Sequence, residues 1–230
     1  IVRTNRHETG FFDYQMWCLP DDAYVLRQFC DEGVTSAGYV GGTLAQARNN
    51  MRPLPAAGYH WVGREQKPGV YFPYHQARVT GDALRAPERT PCLTDTNFVV
   101  QSLAKMARDV APQGRYAPVG YGLAHEWNLL GHGTLDKADL CFSPSCQADF
   151  HAFLQREYPS IGALNASWGT TFRNWAEASP IVLREAVQTN QVARWIDHRR
   201  HMDRVVADFL NAKIAAARAI DPLAQGAGDN

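Results

Sequence analysis

The chain has no excess of charge of either sign. Its 23 Lys and Arg residues are matched by 23 Asp and Glu, so no net field draws nucleic acid or anionic lipid. No apolar run approaches the roughly 20 residues needed to cross a bilayer. Neither G-x-G-x-x-G nor G-x-x-x-x-G-K follows any strand-like run, which argues against a nucleotide site. His7-Glu8 does not open an H-E-x-x-H zinc motif, because the residue after two spacers is Phe11. No repeat of fixed period and no low-complexity tract is present. The five cysteines are odd in number and too few to build a small disulfide scaffold. There is no initiator Met, and the opening Ile1-Val-Arg-Thr-Asn-Arg6 is too polar for a signal peptide. The chain is therefore expected to begin and end inside a larger polypeptide, and its compartment is not legible.

What is present is aromatic. Six Trp, nine Tyr and ten Phe supply faces that stack on sugar rings, although filling a core is their commoner use. Short strand-like runs alternate with longer helical ones. Strands are predicted over 11–17, 34–40, 59–63 and 115–125, and another opens at about 224–228. Helices are predicted over 20–32, 43–52, 96–110, 145–158, 160–168 and 190–220. Thr94 or Asp95 can cap the helix at 96, and Asp221-Pro222 ends the last one. The segment 64–90 reads as a long loop rich in proline and aromatic residues, a kind of connection that is commonly functional. Strand–helix alternation implies a parallel sheet with right-handed crossovers. Two architectures fit the count: an open doubly wound sheet, or the first four or so units of a (β/α)8 barrel.

One carboxylate stands out. Glu126 follows a Gly-rich, nearly uncharged run and is flanked by His125, Trp127 and Asn128. In a parallel barrel the C-terminal strand ends carry the chemistry. A strand-end Glu held in a salt bridge is the competing reading.

Several strings carry a family resemblance. Pro91-Cys-Leu-Thr-Asp95, the strand ending in Glu126, Cys141-Phe-Ser-Pro-Ser-Cys146, Phe150, Tyr158 and Leu164-Asn-Ala-Ser-Trp-Gly-Thr-Thr-Phe172 resemble the family 42 glycoside hydrolases. These are β-galactosidase-like enzymes of the retaining clan A barrels. The resemblance covers about 91–228 well and 11–63 only in outline. It implies that residues 1–230 form the N-terminal part of a (β/α)8 TIM barrel, about strands 1–4 with their following helices, as a single truncated catalytic domain. It also implies a retaining hydrolase of β-galactosides or related oligosaccharides, with Glu126 as general acid/base on the fourth strand. The nucleophile would be a Glu on the seventh strand, beyond this chain, so the fragment itself is expected to be inactive. A non-catalytic carbohydrate-binding or structural barrel is the alternative. It is motivated by His125, which stands where the family has Asn.

The same resemblance bears on the cysteines. Family members hold a structural zinc with four Cys. Cys92, Cys141 and Cys146 match three of these and Ser143 occupies the fourth place. Three thiolates with a nearby His such as His132 are one outcome; free thiols or a Cys141–Cys146 disulfide are the others. No cofactor is otherwise required. Among remaining residues, Arg89 is a candidate to hold sugar hydroxyls and Trp17, at the end of the first strand, to stack on a ring. Cys18 and Cys30 read as lone buried thiols, and Trp168 and Trp175 as packing residues. His198 and His201, amid Arg199, Arg200 and Asp203, read as a solvated helix face. A metal-dependent hydrolase built on His125, His132 and Asp136 is a third, weaker reading. The partner implied is a carbohydrate, with homo-oligomerisation of the full-length protein left open.

Overall fold

The structure, a computed structural model, describes residues 15–19, 24, 28, 31–32, 36–40, 62–63, 88, 92–111, 120–125, 141–224 and 226–229. Among them, β1 is Gln15–Leu19, β2 Ser36–Val40, β3 Val62–Gly63, α1 Thr96–Val110 and β4 Gly120–His125. Then follow α2 Pro144–Glu157, α3 Ile161–Trp168, a 3₁₀ turn Trp175–Glu177, α4 Leu183–Gln188, α5 Val192–Ile220 and β5 Gly226–Asp229. No described helix is long and apolar enough to cross a membrane. The predicted helix at 43–52 lies outside the described residues. Of the one at 20–32, Tyr24, Gln28 and Asp31 are helical.

Every described strand pairing is parallel. β1 pairs with β2, and β4 lies between β3 and β5. Parallel neighbours require a crossover rather than a hairpin, and α1 and α5 lie in two of these connections. Strand order advances with the chain and never reverses within either sheet.

The chain divides into two compact units: Ile1–Pro68 with Ser102–Glu126 and Asn211–Asn230, and Gly69–Gln101 with Trp127–Leu210. The first holds the described strands. Its core joins Met106, Val110, Tyr121, Ala217 and Ala224, with Leu123 and Ile214 against them. Two polar ties cross that core. The buried Tyr121 hydroxyl donates to Asp221 Oδ2 at 2.8 Å, and buried Lys213 donates from Nζ to the Leu123 carbonyl at 2.9 Å. Asp221 thus ends α5 and also anchors it to β4. Gly226 is required by close approach, since a Cβ there would lie 2.5 Å from Leu123 Cδ1.

The second unit is built on caps. Ser143 N-caps α2 through the Cys146 amide, with Pro144 as the first helical residue. Ser160 N-caps α3, and Gly169 closes it at φ 68°, the left-handed region that glycine occupies without a Cβ clash. Asn165 then staples the outgoing chain: its Oδ1 accepts from Phe172 N and Thr170 Oγ1, and its Nδ2 donates to Phe172 O. Trp168 is fully buried on Phe150 and donates Nε1 to Asp197. The Leu164–Phe172 string is therefore an architectural device. Trp168 takes the packing role expected of it.

Several boundaries differ from expectation. β1 runs on to Leu19, so Trp17 sits mid-strand rather than at the strand end. α5 starts at Val192, not at 190, because Asn190 adopts φ 55° and cannot be helical. α4 and the 3₁₀ turn have no counterpart in the sequence reading.

Candidate functional site

β4 is the middle strand of three, and His125 is its last residue, in register with Asp229 of β5. Glu126 is the next residue along the chain. Glu126 itself, Trp127, Arg89, His132 and Asp136 lie outside the described residues, as do the side chains of His125 and Trp17. What the described backbone supplies is the strand that delivers Glu126, fastened through the Tyr121–Asp221 and Lys213–Leu123 ties four residues or fewer before its end.

The cysteines form the second centre, inside the second unit. Cys92 precedes α1, Cys141 precedes α2, and Cys146 lies in the first turn of α2. Their Sγ atoms all lie within 4.8 Å of one another, and Cys141 and Cys146 are fully buried. Cys141 Sγ donates to Cys92 Sγ at 3.7 Å. Two thiolates on one tetrahedral zinc, each at about 2.3 Å, would stand about 3.8 Å apart. The spacing fits a shared metal. All three are free thiols, so the Cys141–Cys146 disulfide alternative is not realised. Instead, Cys146 Sγ faces Met202 Sδ at 3.6 Å.

The three thiols hold one another away from their ordinary value in opposite directions. Cys92 is pushed far below the ordinary thiol value by hydrogen bonds from Cys141, Cys146 and lesser donors, against the cost of burial. Cys146 is held well above it, first by Cys141, then by Cys92 and burial. Cys141 receives from Cys146 and donates to Cys92, and ends raised. Ser143 Oγ accepts from the Cys146 amide and lies beside Cys141 Sγ, both at 3.3 Å. Its hydroxyl is a helix cap, not a substitute thiolate.

Two histidines join this centre, contrary to the expected solvated face. His198 and His201 on α5 are 0% and 1% exposed, and each offers a ring nitrogen within 4.8 Å of Cys146 Sγ. His198 sits edge-on to Phe142 and tilted on Phe150. His201 packs on Phe150 and Phe153, and its Nε2 meets Asp149 Oδ2 at 2.8 Å. That bond, more than any other effect, keeps Asp149 below the usual carboxylate value. A signal for their burial exists in the sequence. His198 and His201 precede Met202 and Val205 by four residues each, so they extend the apolar stripe toward the helix start. The charges at 199, 200 and 203 obscure it.

Similarity to known proteins follows this anatomy. The fold is one shared with carbohydrate-active enzymes. An exo-beta-agarase superposes with TM-score 0.56 and 14% identity over 90% of this chain and 27% of its own. A second agarase gives 0.57 and 15% over 90% and 29%. The catalytic domain of the beta-amylase from Paenibacillus polymyxa gives 0.57 and 13% over 90% and 64%. A thermophilic beta-amylase of Thermoanaerobacterium thermosulfurigenes is 29% identical over 69 residues, 30% of this chain and 12% of that protein. Residues 126–225 match the glycoside hydrolase family 42 profile, described as beta-galactosidase. The match covers less than half of the chain, which is similar to that family over those residues. The matched stretch starts at Glu126 and stops one residue before β5, so it is the whole connection between β4 and β5.

Proposed function

We propose that the chain is the N-terminal part of a (β/α)8 barrel of a retaining glycoside hydrolase, with Glu126 as its general acid/base. One observation carries this reading: Glu126 directly follows the C-terminal end of β4, the fourth of the described parallel strands, which are ordered as the chain runs. Barrel chemistry sits at that end of the strands.

The reaction needs two carboxyl groups about 5 Å apart. Glu126, neutral at rest, gives its proton to the glycosidic oxygen as the C1–O bond breaks. A second carboxylate, outside residues 1–230, forms the new bond to C1. In the second half, water attacks C1 and the Glu126 carboxylate takes its proton, releasing the nucleophile. His125, in place of the family's Asn, has a ring N–H suited to a sugar hydroxyl; Trp127, Arg89 and Trp17 are the other substrate-binding candidates. β-Galactosides or related oligosaccharides are the substrate class proposed. The three cysteines would hold a structural zinc, which supplies a cross-link between the segment before α1 and the start of α2.

The test is Glu126→Gln in the full-length protein, assayed on aryl β-galactosides of graded leaving group. Loss of acid assistance is expected to slow substrates with poor leaving groups by about 10²–10⁴-fold and to spare good ones. Equal loss across the series, or none, removes the assignment. A wild-type protein that binds sugar without hydrolysing any member would favour the non-catalytic barrel.

A further inference from the structure

The zinc reading leaves one coordination position open. Zinc in structural sites takes four N or S ligands, and three cysteines supply three. Ser143, at the position where a fourth thiolate is expected, is occupied as the cap of α2. A fourth donor therefore has to come from elsewhere in the second unit.

His201 has the features of that donor. It is 1% exposed, and its Nε2 faces a carboxylate, Asp149 Oδ2, at 2.8 Å. An ionised carboxylate only accepts, so Nε2 carries the hydrogen. In the neutral ring this leaves the lone pair on Nδ1. That atom is buried and has no hydrogen-bond partner among the described residues. A buried ring nitrogen without a partner is costly, and a metal ion removes the cost. Carboxylate, imidazole and metal in series is the usual way in which a ligating His is oriented. A ring nitrogen of His201 also lies within 4.8 Å of Cys146 Sγ, the residue that its group of donors shares with the cysteine trio, so bringing all four onto one ion takes a turn of the His201 side chain toward Cys92 and Cys141.

From these observations we infer that His201, oriented by Asp149, is the fourth ligand of a Cys92–Cys141–Cys146–His201 metal centre that joins α5 to α2 and to the segment before α1. The inference rests on the three-cysteine zinc reading and deepens it. Zinc is the ion favoured by three thiolates and an imidazole. Binding is not a redox step: the thiols release their protons to solvent as three S–metal bonds and one N–metal bond form. His198, which also offers a ring nitrogen within 4.8 Å of Cys146 Sγ, is the rival donor.

The experiment loads the full chain with zinc, and separately with cobalt(II). It compares wild type with His201→Phe, which keeps a ring against Phe150 and Phe153, and with Asp149→Asn, which leaves His201 in place. X-ray absorption of the zinc protein is expected to give three sulfur and one nitrogen neighbour, with the outer-shell scattering of one imidazole. His201→Phe should lose that imidazole, and Asp149→Asn should weaken cobalt affinity by about 10–100-fold. An imidazole that persists in His201→Phe, or a wild-type site with oxygen in place of nitrogen, overturns the assignment while leaving the three-thiolate site standing. Absence of stoichiometric zinc and cobalt binding in wild type overturns both. If His201→Phe fails to fold, the wild-type spectrum and Asp149→Asn decide alone.

Discussion

Asp197 shows how a single buried group is made tolerable. Its Oδ2 accepts from the Tyr158 hydroxyl and from Trp168 Nε1, and its Oδ1 accepts from Arg200. Three donors offset the desolvation of one carboxylate. Burial, and then the bond to Asp197, push the Tyr158 phenol above its ordinary value. A group whose folded value is raised contributes stability that is complete below its unfolded value, about 10. That contribution is lost as pH climbs through the folded value. Alkaline unfolding of wild type is therefore expected to show a loss of stability above about pH 10. Tyr158→Phe, measured by the same pH series of urea midpoints, should flatten that loss. An unchanged slope would contradict the assignment. At this scale the cysteine trio was legible through its family resemblance. The histidines were not, because the charges at 199, 200 and 203 mask the apolar stripe that they share with Met202 and Val205.

Among elements, α1 was read with its bounds intact. Asp95 Oδ1 caps it by accepting from the Phe98 amide at 3.0 Å, and Met106 and Val110 are buried on one face, with Phe98 partly so. Caps and periodicity are local properties, so local sequence suffices. α4 has six residues, less than two turns, and leaves too little periodicity to detect. α3 rests on its ends. Gly169→Ala places a Cβ at φ 68° where nothing else lies within 4 Å, so the cost is conformational rather than steric crowding by neighbours. About 1 kcal/mol of destabilisation is expected. Gly169→Asn should lose less, because Asn tolerates this region better. Thermal or urea unfolding of the two variants checks the order. The reverse order would mean that the αL cap is not what limits the helix.

For the molecule as a whole, the strand that delivers Glu126 depends on contacts made nearly a hundred residues away in sequence. Lys213 reaches the Leu123 carbonyl, and Asp221 the Tyr121 hydroxyl. Hydrogen bonds from charged donors contribute about 1.5–3 kcal/mol each. Lys213→Met, which keeps the apolar stem and deletes the ammonium, is expected to lower unfolding free energy by about that much. Urea titration measures it, and a neutral result would show the Lys213–Leu123 tie to be energetically idle. α5, whose last turns hold β4, ends inside the matched stretch.

The sequence by itself determined the alternation of strands and helices and the caps, because each is a matter of residue type and short-range spacing, while Glu126 stood out by its place after a strand-like run and the three thiols by family resemblance. Tertiary structure decided which strands pair, β1 with β2 and β4 between β3 and β5. It also decided the union of Cys146 with His198 and His201 and the ties that hold β4. Those depend on which faces of distant segments meet, and packing of whole elements selects that, not any property readable within one turn of chain.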